Sequence, residues 1–206
     1  MARVFRNFKE EYKEEARKRI LDAALEVVKK KGYQSMTLDD VAEEVGVTKG
    51  TLYLYFKNKE DLFRNVFSEM SKSFEETMEY TLVDKDDLDT VLSCLIDHII
   101  TCNKKFGIEK HIALVVDWIS VVVRDPSGQP LVKEMIMRKI QILEEKLGAL
   151  QEKKQVPATV DIHAATRGII GLTAVVKFMI FLGDDEDEIR TWWIGSVKKL
   201  LDVPVT

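Results

Sequence analysis

Apolar positions recur at three- and four-residue intervals along most of this chain. Ile20, Leu21, Ala24, Leu25 and Val28 form one stripe, closed by three lysines and Gly32, which predicts a helix over about residues 10–31. Thr37 opens a second, short helix through Val41, Ala42 and Val45. Asp40 stands three residues after it, the spacing of a reciprocal cap, and Gly46 is the stop. Thr48 caps a third helix over about residues 49–55, and Asn58 caps a fourth whose stripe is Leu62, Phe63, Val66, Phe67, Met70 and Phe74. Further along, DKDD at 84–87 starts a helix to about Lys104, Phe106-Gly107 breaks it, and Ile108–Arg124 follows. DPSGQP at 125–130 reads as a loop, and Pro130–Lys153, Thr159–Leu182 and Asp185–Asp202 read as the last three helices. The segment 112–123 is rich in β-branched residues and suits a strand by propensity; its length and its helical neighbours decide for helix. The pattern predicts an all-α chain of about nine helices.

Composition changes this picture little. A chain of 206 residues, 46% hydrophobic and 32% charged, can bury one core or two small ones. The net charge of −4 gives no global basic field, but the charge is uneven: residues 1–63 carry 13 Lys and Arg against 12 Asp and Glu, the remainder 18 against 23. Cys94 and Cys102 lie eight residues apart in an apolar segment and read as free thiols in a reducing compartment. The basic N-terminus lacks the apolar run of a signal peptide, so a cytoplasmic location is expected. Gly168–Leu182 is the most membrane-like stretch, but Lys177 interrupts it, and a helix buried on several sides is expected rather than a membrane partner.

Residues 47–63, VTKGTLYLYFKNKEDLF, crowd hydroxyls, aromatic hydroxyls and lysines beside a turn. Two short helices across a glycine-containing turn, after a longer helix, make a helix-turn-helix pattern. A helix entering the major groove presents its first turn to base edges, where lysine donates to guanine and a threonine methyl touches thymine. Lys49 and Thr51 occupy that turn, and Gly50 between them permits close backbone approach. Tyr53 and Tyr55 differ in direction by about 200° on a helix and cannot do the same job. Leu52 and Phe56, four apart, face inward, while Lys57 and Lys59 flank Asn58 at a helix start suited to a phosphate.

Over roughly residues 16–67 the sequence resembles the tetracycline-repressor (TetR) family of transcriptional regulators, through TLDDVAEEVGVTKGTLYLYFKNKEDLF. The resemblance implies that Thr48, Lys49, Gly50, Thr51 and Tyr53 approach bases and that Thr37, Tyr55 and Lys59 hold phosphates. It also implies an N-terminal three-helix helix-turn-helix DNA-binding domain, residues 1–57, followed by a helical ligand-binding and dimerisation domain, residues 58–206. The implied assembly is a homodimer on a double-stranded, palindromic operator, released by a small molecule. Asp39 and Asp40 depart from the pattern, standing where some members put a basic DNA contact. Arg3, Arg6 and Lys9, ahead of the first helix, are candidates for a compensating minor-groove arm.

Residues 80–206 carry no comparable motif and no catalytic constellation, so neither an enzyme nor a cofactor is expected. Cys94, His98 and Cys102 recur every four residues on one helix. Adjacent members could share a soft metal, but four-coordination needs ligands from elsewhere, and buried thiols beside a polar histidine are the simpler reading. Asp117, in the apolar run LVVDWISVVV, must turn to solvent, pair with a cation such as Arg167 or Lys177, or meet a cationic ligand. His98, Phe106, Asp117, Trp118, Met135 and Phe178 are the expected ligand-site residues, suited to a largely apolar effector. The stripes Ala165, Gly168, Leu172, Val175 and Ile189, Trp193, Val197, Leu200 are the expected dimer interface. An architectural DNA-binding protein without an effector remains the alternative; a core with no room for a ligand would distinguish it.

Overall fold

The computed structural model describes residues 2–205, with the side chains of 2–10 and 103–106 excepted. Among the described residues there are nine α-helices and no strand: α1 (Ala2–Ser35), α2 (Leu38–Val45), α3 (Lys49–Leu52), α4 (Lys59–Leu82), α5 (Leu88–Phe106), α6 (Ile108–Arg124), α7 (Gln129–Glu152), α8 (Ile162–Leu182) and α9 (Glu186–Leu200). The loop expected at 125–130 contains a single 3-10 turn, Pro126–Gly128, capped by Asp125. Most helix starts are set by side-chain caps: Thr37 and Thr48, as expected, and Asp161 and Asp185 each accept from a backbone N–H of the first turn. Asn58 and Asp87 do the same through Asp61 N–H and Thr90 N–H.

Two features of α1 differ from expectation. Residues 2–9, expected to precede the first helix as an arm, continue it; the side chains of Arg3, Arg6 and Lys9 lie outside the described residues. At its other end the helix kinks at Gly32, whose φ of 75° lies in the left-handed region open to glycine.

The chain forms two compact units: Met1–Met70 with Ala113–Gln129, and Ser71–Ile112 with Pro130–Thr206. This division differs from a boundary at 57/58, because the first unit recruits most of α6. Its aromatic core explains why. Tyr33, just past the kink, stacks on Phe63 with ring centroids 4.2 Å apart, while Trp118 meets Phe63 edge-on at 6.1 Å and stacks on Phe67 at 4.8 Å. Trp118 is 3% exposed. Beside it, Asp117 accepts from the Tyr33 N–H at 3.3 Å and from Gln34 Nε2 at 3.4 Å. Arg64 pairs with Asp125 at 2.8 Å, again joining α4 to the end of α6.

The second unit packs α5, α8 and α9 around one apolar cluster that includes Val91, Leu92, Ile96, Leu143, Ile169 and Val176. Ile189, Trp193 and Val197 are all fully buried in it. Lys198, itself 5% exposed, reaches Asp89 at 2.7 Å and ties α9 to α5. A Cβ at Gly168 would come within 3.0 Å of Leu200 Cδ1, so this glycine lets α8 and α9 approach within one protomer.

Truncating Trp118 to alanine removes a large buried ring from the first unit and is expected to cost about 3–5 kcal/mol. Asp117→Leu strands the Tyr33 N–H and should cost about 1–3 kcal/mol. Urea unfolding followed by circular dichroism checks both, and unchanged midpoints would remove α6 from the support of the first unit.

Candidate nucleic-acid interface

The turn between α2 and α3 is fixed at both ends by local hydrogen bonds. Thr37 Oγ1 accepts from the Asp40 N–H at 3.1 Å and the Asp40 carboxylate accepts from the Thr37 N–H at 2.9 Å, a complete capping box. With Lys31 also bound to it, the Asp40 carboxyl is held down at about 2, the Lys31 hydrogen bond being the largest cause. Gly46 closes α2 in the left-handed conformation, φ 77°, with its N–H on the Ala42 and Glu43 carbonyls. Thr48 then starts α3: its hydroxyl accepts from the Thr51 N–H at 3.3 Å and lies 3.0 Å from the Thr51 hydroxyl.

The α-helical part of α3 is shorter than expected, Lys49–Leu52 rather than 49–55, and continues as hydrogen-bonded turns to Phe56. Its inward anchors are as the spacing requires: Leu52 is 0% and Phe56 3% exposed. Outward stand Thr48, Lys49, Gly50 and Tyr53, all exposed, with Thr51 half-buried beside them. Leu54, 81% exposed at the same tip, was not singled out by the sequence. Tyr55 is half-buried and tilted against Phe56, so the two tyrosines do diverge.

Several of the expected DNA contacts already have protein partners. Lys49 donates to Asp39 Oδ2 at 2.7 Å, which accounts for an acid at this position. The same hydrogen bond raises the Lys49 pKa. Lys31 and Lys30 pair in the same way with Asp40 and Glu44, bracing α1 against α2. Lys59 donates to the Gln34 carbonyl at 3.0 Å and lies over the Tyr33 ring at 4.5 Å. Thr37 is exposed and its hydroxyl is the cap of α2.

The expected ligand residues do not gather in one place. Asp117 and Trp118 belong to the first unit, where one accepts backbone and side-chain N–H groups and the other is core; Asp117 does not pair with Arg167 or Lys177. Phe178 is 58% exposed on α8, and the Phe106 side chain lies outside the described residues. His98 and Met135 are buried in the second unit. His98 packs against Phe74, with ring centroids 4.6 Å apart, and lies 3.7 Å from Cys102 Sγ. No group of three or more His, Cys, Asp or Glu side chains with metal-binding geometry occurs among the described residues.

Three basic groups from three helices of this unit meet nearby, a grouping that the scattered sequence positions conceal. Lys177 Nζ lies 3.2 Å from His111 Nε2, and Lys139 Nζ sits over the Phe74 ring at 5.3 Å. Burial, then the charges of Lys177 and Lys139, hold His111 down at about 4, so its neutral ring accepts from the Lys177 ammonium. Burial and the Lys139 charge bring Lys177 down to about 8, and burial lowers Lys139 as well. The one sequence signal was Lys177, a charge inside the most apolar stretch.

The expected dimer stripes divide between core and surface. Ala165, Ile189, Trp193 and Val197 are buried within the protomer and present nothing to a partner; Gly168 and Leu172 are half-buried, and Gly168 packs on Leu200. Val175 and Leu200 are exposed, and with them Phe178, Phe181, Leu182 and Trp192. By length and composition α8 is apolar enough to cross a membrane, and 22% of its most apolar window is buried in the protomer.

Residues 20–66 match the model of the bacterial regulatory proteins, tetR family. Among curated relatives, the fatty acid metabolism regulator protein of Bacillus subtilis (strain 168) is 44% identical over 66 residues, 32% of this chain and 34% of that protein. The chain spans a third to less than half of the length of the first few such relatives. Similarity of fold extends much further. A TetR transcription regulator from Haloarcula marismortui matches 92% of this chain and 97% of its own with a TM-score of 0.76 at 15% identity. The transcriptional regulator FadR from Bacillus subtilis, solved in complex with stearoyl-CoA, matches 87% and 96% with a TM-score of 0.61 at 24% identity. The sequence of residues 20–66, from α1 into α4, is thus similar to the bacterial regulatory proteins, tetR family, and the likeness of fold to TetR regulators extends over about nine-tenths of the chain.

Proposed function

We propose that this protein is a homodimeric repressor that binds a palindromic DNA operator through α3 and leaves it when a small molecule occupies the second unit. The observation that carries the reading is the capped α2–turn–α3 element, which holds Lys49, Gly50, Thr51 and Tyr53 outward over buried Leu52 and Phe56. Lys49 and Thr51 read base edges, Gly50 allows the backbone to come close, and Tyr53 extends the same surface. Thr48, the cap of α3, lies on the base side with them, and Thr37, Tyr55 and Lys59 lie around this surface as phosphate-side contacts, Lys59 exchanging the Gln34 carbonyl for phosphate.

The second copy covers the open apolar face of α8 and α9, Val175, Phe178, Phe181, Leu182, Trp192 and Leu200. An exposed face of this kind is the usual mark of an association surface. Two recognition helices related by a two-fold axis then meet half-sites one helical turn apart. The effector belongs to the second unit, where His98 and Met135 are buried. FadR of the same fold was solved in complex with stearoyl-CoA, which supports a small-molecule ligand for this chain. Coupling is reciprocal: operator DNA weakens effector binding by the factor by which effector weakens operator binding.

Lys49→Ala and Thr51→Ala are expected to lower affinity for the operator selectively, by about 1–3 kcal/mol where a base contact is lost, with little change on random DNA. Asp39→Asn releases Lys49 and removes a negative charge near phosphate, so it should tighten operator binding a few-fold, roughly the scale of an exposed pair. Titration of labelled operator and random duplex by fluorescence anisotropy separates these outcomes; loss of random and operator binding alike in Lys49→Ala and Thr51→Ala would overturn the base-reading assignment. Phe178→Asp with Phe181→Asp should yield a monomer by sedimentation equilibrium, and a persistent dimer would move the interface elsewhere.

A further inference from the structure

We propose that Lys139 and Lys177, with His111 as their hydrogen-bonding partner, form the seat for the anionic head of an amphiphilic effector, a carboxylate or a phosphate. The inference rests on the reading of the second unit as an effector-binding unit and adds the chemistry of what it binds. Its basis is a concentration of basic groups from three helices, of which Lys177 has an uncharged hydrogen-bond partner. Lys177 on α8 donates to a neutral imidazole at 3.2 Å, an uncharged partner. Lys139 on α7 lies against the Phe74 ring, and the carboxylate acting on it is Glu75, which also accepts from Ser71 Oγ at 2.9 Å.

Among the described residues, no carboxylate acts on Lys177; the neighbouring charge of Lys139 opposes its own, and the Cys102 thiol is the acidic group beside it. Two ammonium groups drawn partly out of water, with the charge of Lys139 disfavouring that of Lys177, are stabilised by an anion beside them. Such an anion forms charge-assisted hydrogen bonds with both amines, stronger than the bond to imidazole that it replaces or joins. The apolar part of the ligand follows from Phe74: the ring under Lys139 packs against the unit's apolar cluster, so a chain leaving the head group meets hydrocarbon at once.

The test measures binding of three ten-carbon probes to the full-length protein by calorimetry: decanoate, decyl phosphate and decanol. Binding of decanoate or decyl phosphate about tenfold or more tighter than decanol is expected, the worth of about one charge-assisted contact. Whichever anion binds more tightly identifies the head group. Lys177→Met and Lys139→Met should each weaken the anion about tenfold and decanol less, with Lys177→Arg retaining most of the affinity. Equal binding of decanol and the anions, lysine variants that bind the anions like the parent protein, or no binding of any probe overturns the assignment. The comparison of probes on the unaltered protein stands even where a variant fails to fold. An anion that binds through the lysines but leaves the operator complex intact would sink the effector reading and keep the seat. Release of operator by decanol and decanoate at equal concentration would do the reverse.

Discussion

Tyr33, Phe63, Phe67 and Trp118 come from three segments far apart in the chain, and the packing of their rings is what makes a rigid head out of them. Aromatic pairs at these separations add about 0.5–1.5 kcal/mol each beyond the area they bury. The adjacent Asp117 makes the packing directional, because its carboxylate receives the Tyr33 N–H just past the Gly32 kink. Apolar burial holds α1, α4 and α6 together, and polar contacts from Asp117 and Lys59 to Tyr33 and Gln34 fix the end of α1. With α1 and α4 set, the short helices α2 and α3 between them in the chain have a fixed start and a fixed finish. Burial, with the Glu60 carboxylate close by, pushes the Tyr33 phenol up to about 12.

The two units use charge in opposite ways. The head is close to neutral overall and interleaves its signs: Lys30 with Glu44, Lys31 with Asp40, Lys49 with Asp39. Pairs of this sort contribute little to stability at an exposed surface, but they set side-chain direction. In the Lys49–Asp39 pair the acid sets the direction of an exposed lysine at the start of α3. The second unit is acidic in composition yet gathers Lys139 and Lys177 where burial lowers both amines. Net charge is silent about such an arrangement.

Much of this molecule was legible from its sequence because the governing interactions are local. The caps at Thr37, Thr48 and Asn58, the stop at Gly46, and the stripes of three and four residues act within one helical turn, so spacing alone reports them. The same holds for the reading surface: Leu52 and Phe56 inward and Lys49, Gly50 and Tyr53 outward follow from helical phase and one turn. What the sequence could not order was the use made of apolar faces. Ile189, Trp193 and Val197 look like Val175 and Phe178 in a periodicity plot, yet the first three fill the protomer's core and the other two lie open. Asp117 shows the same limit in polar form, since its partner at Tyr33 lies 84 positions away and no spacing rule connects them. Sequence determined where most helices begin and which side chains around the α2–α3 turn face in or out, because hydrogen-bond caps and helical phase are short-range. Only the tertiary structure decided which faces meet each other, which acid answers which N–H, and where two lysines converge, because those depend on how helices distant in sequence pack.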